Sequence, residues 1–220
     1  MSNPGDRRIR ILDGIAAAAK IAGRSDTDVQ LIAVSKTRSA EQIEPLIAVG
    51  QRDFGESRVQ EALAKWPPLL AGHPGVRLHA IGRLQSNKAA DAAHLFDTVH
   101  SLDRASLLDA LVKAAEGSGR FPTVYIQVNI GDEEQKGGCT ITEVGALVAA
   151  VRASPLPLAG LMCIPPLGLE PAPFFGLLAK LAREHGTTGL SMGMSGDYKQ
   201  AVMLGATAVR VGTALFEDDS

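Results

Sequence analysis

Lys36 closes the apolar run Leu31-Ile32-Ala33-Val34-Ser35. Two small-residue turns stand at the far end of the chain, Ser191-Met192-Gly193-Met194-Ser195-Gly196 and, after Val209-Arg210-Val211, Gly212-Thr213. A lysine amine forms Schiff bases with carbonyls. Turns built from glycine and hydroxyl residues offer backbone N–H groups to an anion, best where a helix begins. An amine facing such turns suits a phosphorylated aldehyde. Pyridoxal 5'-phosphate (PLP) is the expected one, because its proteins hold it through a lysine. Arg210 adds a third group. Alternation with Val209 and Val211 permits it to point inward, where a guanidinium keeps its proton and a ring nitrogen facing it stays unprotonated. Met194, Ser195 and Gly196 belong to the first turn, and Gly55-Glu56-Ser57 and His79 are further candidates for the same mouth. Blander readings stand beside these: a solvated lysine at a strand exit, an arginine turned toward the helices, a packed strand histidine.

Positioning these residues requires a periodic scaffold. Short β-branched runs lie at 31–35, 52–54, 77–81, 98–101, 123–129, 158–163, 188–191 and 207–211, with helical patterns between them. Ser39-x-x-Gln42 and Thr140-x-x-Glu143 read as capping boxes, and stripes such as Ile43/Leu46/Ile47 give the helices one apolar face. Strands alternating with helices imply parallel pairing, and eight units imply closure into a single (β/α)8 TIM-type barrel; a doubly wound open sheet is the alternative. In such a barrel, function gathers at the C-terminal ends of the strands, with phosphate held after strands seven and eight. An amphipathic helix over about 6–22 precedes a barrel over about 31–216, and residues 1–220 read as one domain. Pro165, Pro166, Pro171 and Pro173 predict a rigid loop with no helix before Phe174. Gln85-Ser86-Asn87-Lys88 opens a helix, with no role beyond capping and surface charge, and Asp132-Glu133-Glu134 reads as solvated loop carboxylates.

Composition narrows the function classes. A net charge of -2, with 45% hydrophobic and 21% charged residues, describes an ordinary globular chain without the basic field that nucleic acid or anionic lipid needs. Cys139 and Cys163 lie far apart and outside metal-ligand spacing, so neither a disulfide framework nor a metal site is expected. Met1 to Arg10, with Asp6 among its arginines, reads as neither a signal peptide nor a membrane span. A cytoplasmic monomer is expected.

Ala33-Val34-Ser35-Lys36-Thr37, Phe54-Gly55-Glu56, His79-x-Ile81-Gly82-x-Leu84-Gln85-Ser86-Asn87-Lys88, Gly160-Leu161-Met162 and Leu190-Ser191-Met192-Gly193-Met194-Ser195 together resemble the pyridoxal phosphate homeostasis protein family, in order and over roughly 6–216. The resemblance implies a fold like the N-terminal barrel of alanine racemase. It further implies PLP held covalently by Lys36, its phosphate near Ser195, Gly212 and Thr213, and Arg210 at the ring nitrogen. Members are regarded as PLP carriers or buffers, with apo forms of PLP-dependent enzymes as candidate recipients and no established reaction. Two departures stand out: Ser57 where members commonly have Asn, and Glu217 where they commonly have Gly. The competing functions are a PLP-dependent amino-acid racemase and a sugar-phosphate barrel. The racemase needs a second acid/base, for which only Tyr125 and Tyr198 come to hand.

Overall fold

A computed structural model of the chain describes residues 3–217. Eight strands, β1 (Gln30–Val34), β2 (Asp53–Glu56), β3 (Arg77–Ala80), β4 (Thr98–Leu102), β5 (Thr123–Gln127), β6 (Leu158–Met162), β7 (Gly189–Ser191) and β8 (Ala208–Val211), form a closed parallel barrel in sequence order. Closure is made by β1 against β8, with Ile32 opposite Arg210 and Ala33 opposite Val211, which rules out the open sheet. The helices are α1 (Pro4–Ile21), α2 (Ala40–Ala48), α3 (Val59–Gly72), α4 (Ala89–Leu95), α5 (Ala105–Ser118), α6 (Val144–Arg152), α7 (Ala172–Glu184), α8 (Tyr198–Met203) and α9 (Thr213–Phe216).

Strand residues alternate between the barrel interior and the helices. Phe54 on β2 turns outward and meets Trp66 of α3 with ring centroids 5.1 Å apart, both fully buried. Ile43, Leu46, Leu78, Leu107, Leu111 and Phe175 fill the same layer between sheet and helices. Burying each such side chain stabilises the fold by about 1.5–3 kcal/mol. The Ser39 capping box starts α2, its amide donating to Gln42 Oε1 at 3.0 Å. The Thr140 box instead opens a 3-10 turn, Ile141–Glu143, which runs into α6.

Several expected boundaries move by a residue or two, and two of the shifts have a clear local reason. β5 stops at Gln127, because the chain there turns to pair with Cys139, whose amide donates to Gln127 O and whose carbonyl accepts from the Asn129 amide, both at 2.9 Å. α7 begins at Ala172, two residues before Phe174, because Pro171 caps it and Pro173 sits in the first turn, where a missing N–H costs nothing. The N-terminal helix lies beside the closing seam. Arg7 Nε donates to Leu215 O at 2.8 Å, the Tyr198 hydroxyl packs on Gly14, and beyond α1 Arg24 Nη1 reaches Val202 O and Ala206 O at 3.1 and 3.0 Å. Among the described residues no helix is long and apolar enough to cross a membrane.

Candidate functional site at the closing seam

Because Ile32 is in register with Arg210, whose guanidinium lies inside the barrel, Ile32 and Val34 face inward, and Lys36 falls on the same alternation just past the end of β1. Lys36 is exposed at the mouth. The turn that carries it is strained: Thr37, a β-branched residue, adopts φ 65°. A clamp holds it there. Lys65 of α3 donates from Nζ to Ser35 O at 2.8 Å and Arg38 O at 3.0 Å, and pairs with Glu56 Oε1 at 2.7 Å. Ser35 Oγ and Trp66 Nε1 donate to the same Glu56 oxygen at 2.7 and 2.9 Å. Glu56 therefore points outward toward α3 and does not line the mouth. Nothing in its spacing singles out Lys65 for this task.

The two late turns meet beside Lys36. The Gly212 amide donates to Ser195 Oγ at 3.3 Å, and a Cβ on Gly212 would lie 3.3 Å from Val34 Cβ, so the cradle abuts β1. The amides of Ser195, Gly196 and Thr213 have no acceptor among the described residues. Gly196 and Thr213 are exposed and Ser195 is half-buried. Met194 departs from expectation, since its amide is taken by Asp197 Oδ1 at 2.5 Å and offers an anion nothing. Ser57 contributes its carbonyl as a packing surface for Gly82, where a Cβ would come within 2.2 Å. Glu217 turns back and pairs with Arg38, whose guanidinium also lies 5.3 Å from the Phe216 ring centre. Glu217 is thus fastened to a residue two positions from Lys36.

Arg210 is buried, and it donates from Nη1 to Ser191 Oγ at 2.5 Å and from Nη2 to Cys163 O at 2.8 Å. A guanidinium carries five N–H groups, so roughly three remain for a ligand. Burial lowers the Arg210 pKa, with the neighbouring Cys163, Asp197 and Tyr125 acting against that shift. Cys163 is pushed up to about 12, chiefly by burial, and is a neutral thiol. His79 does not reach the mouth: it is buried lower in the barrel, with Nδ1 3.0 Å from His100 Nε2 and Nε2 3.1 Å from Asp53 Oδ1. His100 Nδ1 lies 2.8 Å from Ser191 Oγ, and its ring stacks on Tyr125 at 4.5 Å. His100 and Asp53 escaped the sequence reading, and Ser191 entered it only as the start of a turn. Their inward placement on three different strands was the available signal.

In the acidic loop Glu133 is partly buried and pairs with Lys136 at 2.5 Å rather than standing solvated, and the described residues hold no cluster of three or more metal-ligating side chains. In the segment 85–88, Ser86 Oγ accepts from Arg104 Nη2 at 3.1 Å, which also donates to Leu84 O at 3.1 Å.

An exposed amine, three unpartnered amides and a buried guanidinium make a donor set that fits a phosphorylated aldehyde with a ring nitrogen. Barrel and site together define a protein of the alanine racemase N-terminal type, and the model of that family, "Alanine racemase, N-terminal domain", matches residues 13–220. Within it, the chain belongs to the pyridoxal phosphate homeostasis protein family. It is 41% identical over 200 residues to the protein of that name from a Synechocystis species, covering 86% of this chain and 91% of the relative. It is 40% identical over 222 residues to that from Pseudomonas aeruginosa, covering 98% and 96%. The structure of PipY from Synechococcus elongatus, solved with PLP bound, matches with a TM-score of 0.81 at 40% identity, covering 92% of this chain and 99% of PipY.

Proposed function

We propose that this chain binds PLP at Lys36 and keeps it available to apo forms of PLP-dependent enzymes, as a carrier or buffer without turnover. The observation that carries the reading is the seam between β1 and β8, which sets the Lys36 turn beside the Ser195 and Gly212 turns and their three open amides. Bound PLP supplies an aldehyde that an amine captures reversibly with loss of water, which is what storage and release require. Lys36 is the capturing amine. Ser195, Gly196 and Thr213 hold the phosphate, Gly212 braces the Ser195 hydroxyl beside them, and Arg210 donates toward the ring nitrogen. The PLP-bound structure of PipY supports this assignment by likeness.

The racemase reading gains no support from the two tyrosines. Tyr125 is buried in β5 against His100, and the Tyr198 hydroxyl lies against Gly14 on α1. If neither tyrosine serves as an acid/base opposite Lys36, proton exchange at an amino acid Cα should stay at the level of free PLP. A reducing cytoplasm suits Cys139 and Cys163, both free and buried.

The test is the visible spectrum of PLP-loaded protein, followed by borohydride reduction and peptide mass mapping. We expect the fixed cofactor on Lys36 and none in Lys36→Ala. Label on Lys65 or Lys199 in the unaltered protein would refute the assignment. Solvent-deuterium exchange at Cα over a panel of L- and D-amino acids then separates carrier from enzyme.

A further inference from the structure

The barrel interior holds a continuous hydrogen-bonded chain, Arg210–Ser191–His100–His79–Asp53, with steps of 2.5, 2.8, 3.0 and 3.1 Å, crossing from β8 through β7, β4 and β3 to β2. Its two ends differ in kind. A guanidinium only donates and an ionised carboxylate only accepts. Asp53 is fixed as the carboxylate end: burial would raise its pKa, but the hydrogen bonds from His79 and Arg77 outweigh this and hold it below the usual range. Arg77 grips both Asp53 oxygens at 2.7 Å, and Gln30 Nε2 donates to one of them at 2.9 Å.

With both ends fixed, one arrangement satisfies every link. Ser191 accepts from Arg210 and donates to His100 Nδ1; His100 Nε2–H donates to His79 Nδ1; His79 Nε2–H donates to Asp53. The reverse polarity would leave the Ser191 hydroxyl hydrogen without an acceptor beside two donors, a cost that buried groups avoid. We propose that Ser191, His100, His79 and Asp53 are positioning residues that hold the Arg210 guanidinium in place as a donor toward the cofactor ring, through a chain whose every proton points away from Arg210. This rests on the PLP reading for its consequence, though the direction of the chain does not. The chain anchors the arginine and offers the ring nitrogen no proton from below.

The direction can be measured without cofactor. In protein labelled with 15N-histidine, long-range 1H–15N correlation should show His79 and His100 both as the Nε2–H tautomer. An Nδ1–H ring at either position overturns the chain. The positioning role is read from PLP-loaded variants. His100→Leu should move the absorption maximum of the bound cofactor and weaken its binding roughly tenfold, about the worth of one hydrogen bond to a charged group. His100→Gln, whose amide can accept from Ser191 and donate to His79, should restore both. An unchanged spectrum and affinity in His100→Leu overturns the positioning role. Failure of the unaltered protein to form any borohydride-fixable adduct would sink the PLP reading instead, and the tautomers would still decide the direction.

Discussion

At the scale of single residues, the seam site divides into groups that touch a ligand and groups that hold those groups still. On the proposed function, Ser195 and Thr213 are of the first kind. Replacing either by alanine removes one hydrogen bond to a charged phosphate, about 1.5–3 kcal/mol, or roughly one to two decades in PLP affinity by titration. Unchanged binding in the double variant would move the phosphate elsewhere. Lys65 is of the second kind. In Lys65→Ala the fully buried Glu56 loses its cation, which should destabilise the fold by about 3–5 kcal/mol in urea unfolding. Lys65→Met with Glu56→Gln should recover most of that, because the uncompensated charge disappears with its partner. A Lys65→Ala variant as stable as the parent would mean that the pair is hydrated. The placement of Lys36 and Arg210 was legible in the sequence because each sits at a readable point of a strand. Lys65 and His100 were not, since their partners lie on other elements and meet them only after the barrel closes.

At the scale of elements, the connection from β7 to α8 is the tightest part of the cradle. Gly193 has φ +93°, and a Cβ there would lie 2.5 Å from Ala201 Cβ and 3.1 Å from Tyr198 Cα. Gly193→Ala therefore combines a left-handed backbone with overpacking against α8, a loss of about 1–3 kcal/mol from each source. The chain can relieve it only by displacing the turn that carries Ser195. Both the thermal midpoint and PLP affinity should fall, and a variant that loses stability but binds normally would show that Ser195 is not part of the cradle. Strands and helices themselves were largely readable, because short β-branched runs alternate with apolar stripes at helical spacing. What escaped were ends decided by a pairing elsewhere, as at Gln127, or by a proline tolerated in a first turn, as at Pro173.

At the scale of the whole molecule, the buried chain makes stability depend on pH. Burial first, and then His79 and Arg210, hold the His100 pKa well below the usual 6.5. The unfolded chain takes up a proton as pH falls past that value while the folded barrel refuses it. Stability from this group is complete above pH 6.5 and declines below it, by about 1.4 kcal/mol per pH unit for one proton. Asp53, with a lowered pKa of its own, extends the decline below 3.8, where the unfolded carboxyl protonates first. Urea midpoints at pH 7.5, 6.5 and 5.5 should drop between the last two, and His100→Gln should flatten the slope. Equal midpoints would mean that the ring protonates inside the fold.

Closure of the barrel by β1 against β8 also sets an order of events in time. Lys36 and the two late turns proposed to hold the phosphate are separated by most of the described chain, so during synthesis the amine emerges early and waits for its counterpart until β8 has been made. Every other strand pair can form before that seam, and the pairing of first with last is the one with the greatest loop to close. On the proposed site, capacity for the ligand is therefore absent from nascent or partly assembled barrels and arrives in one step with completion, which would make ligand capture a reporter of finished folding.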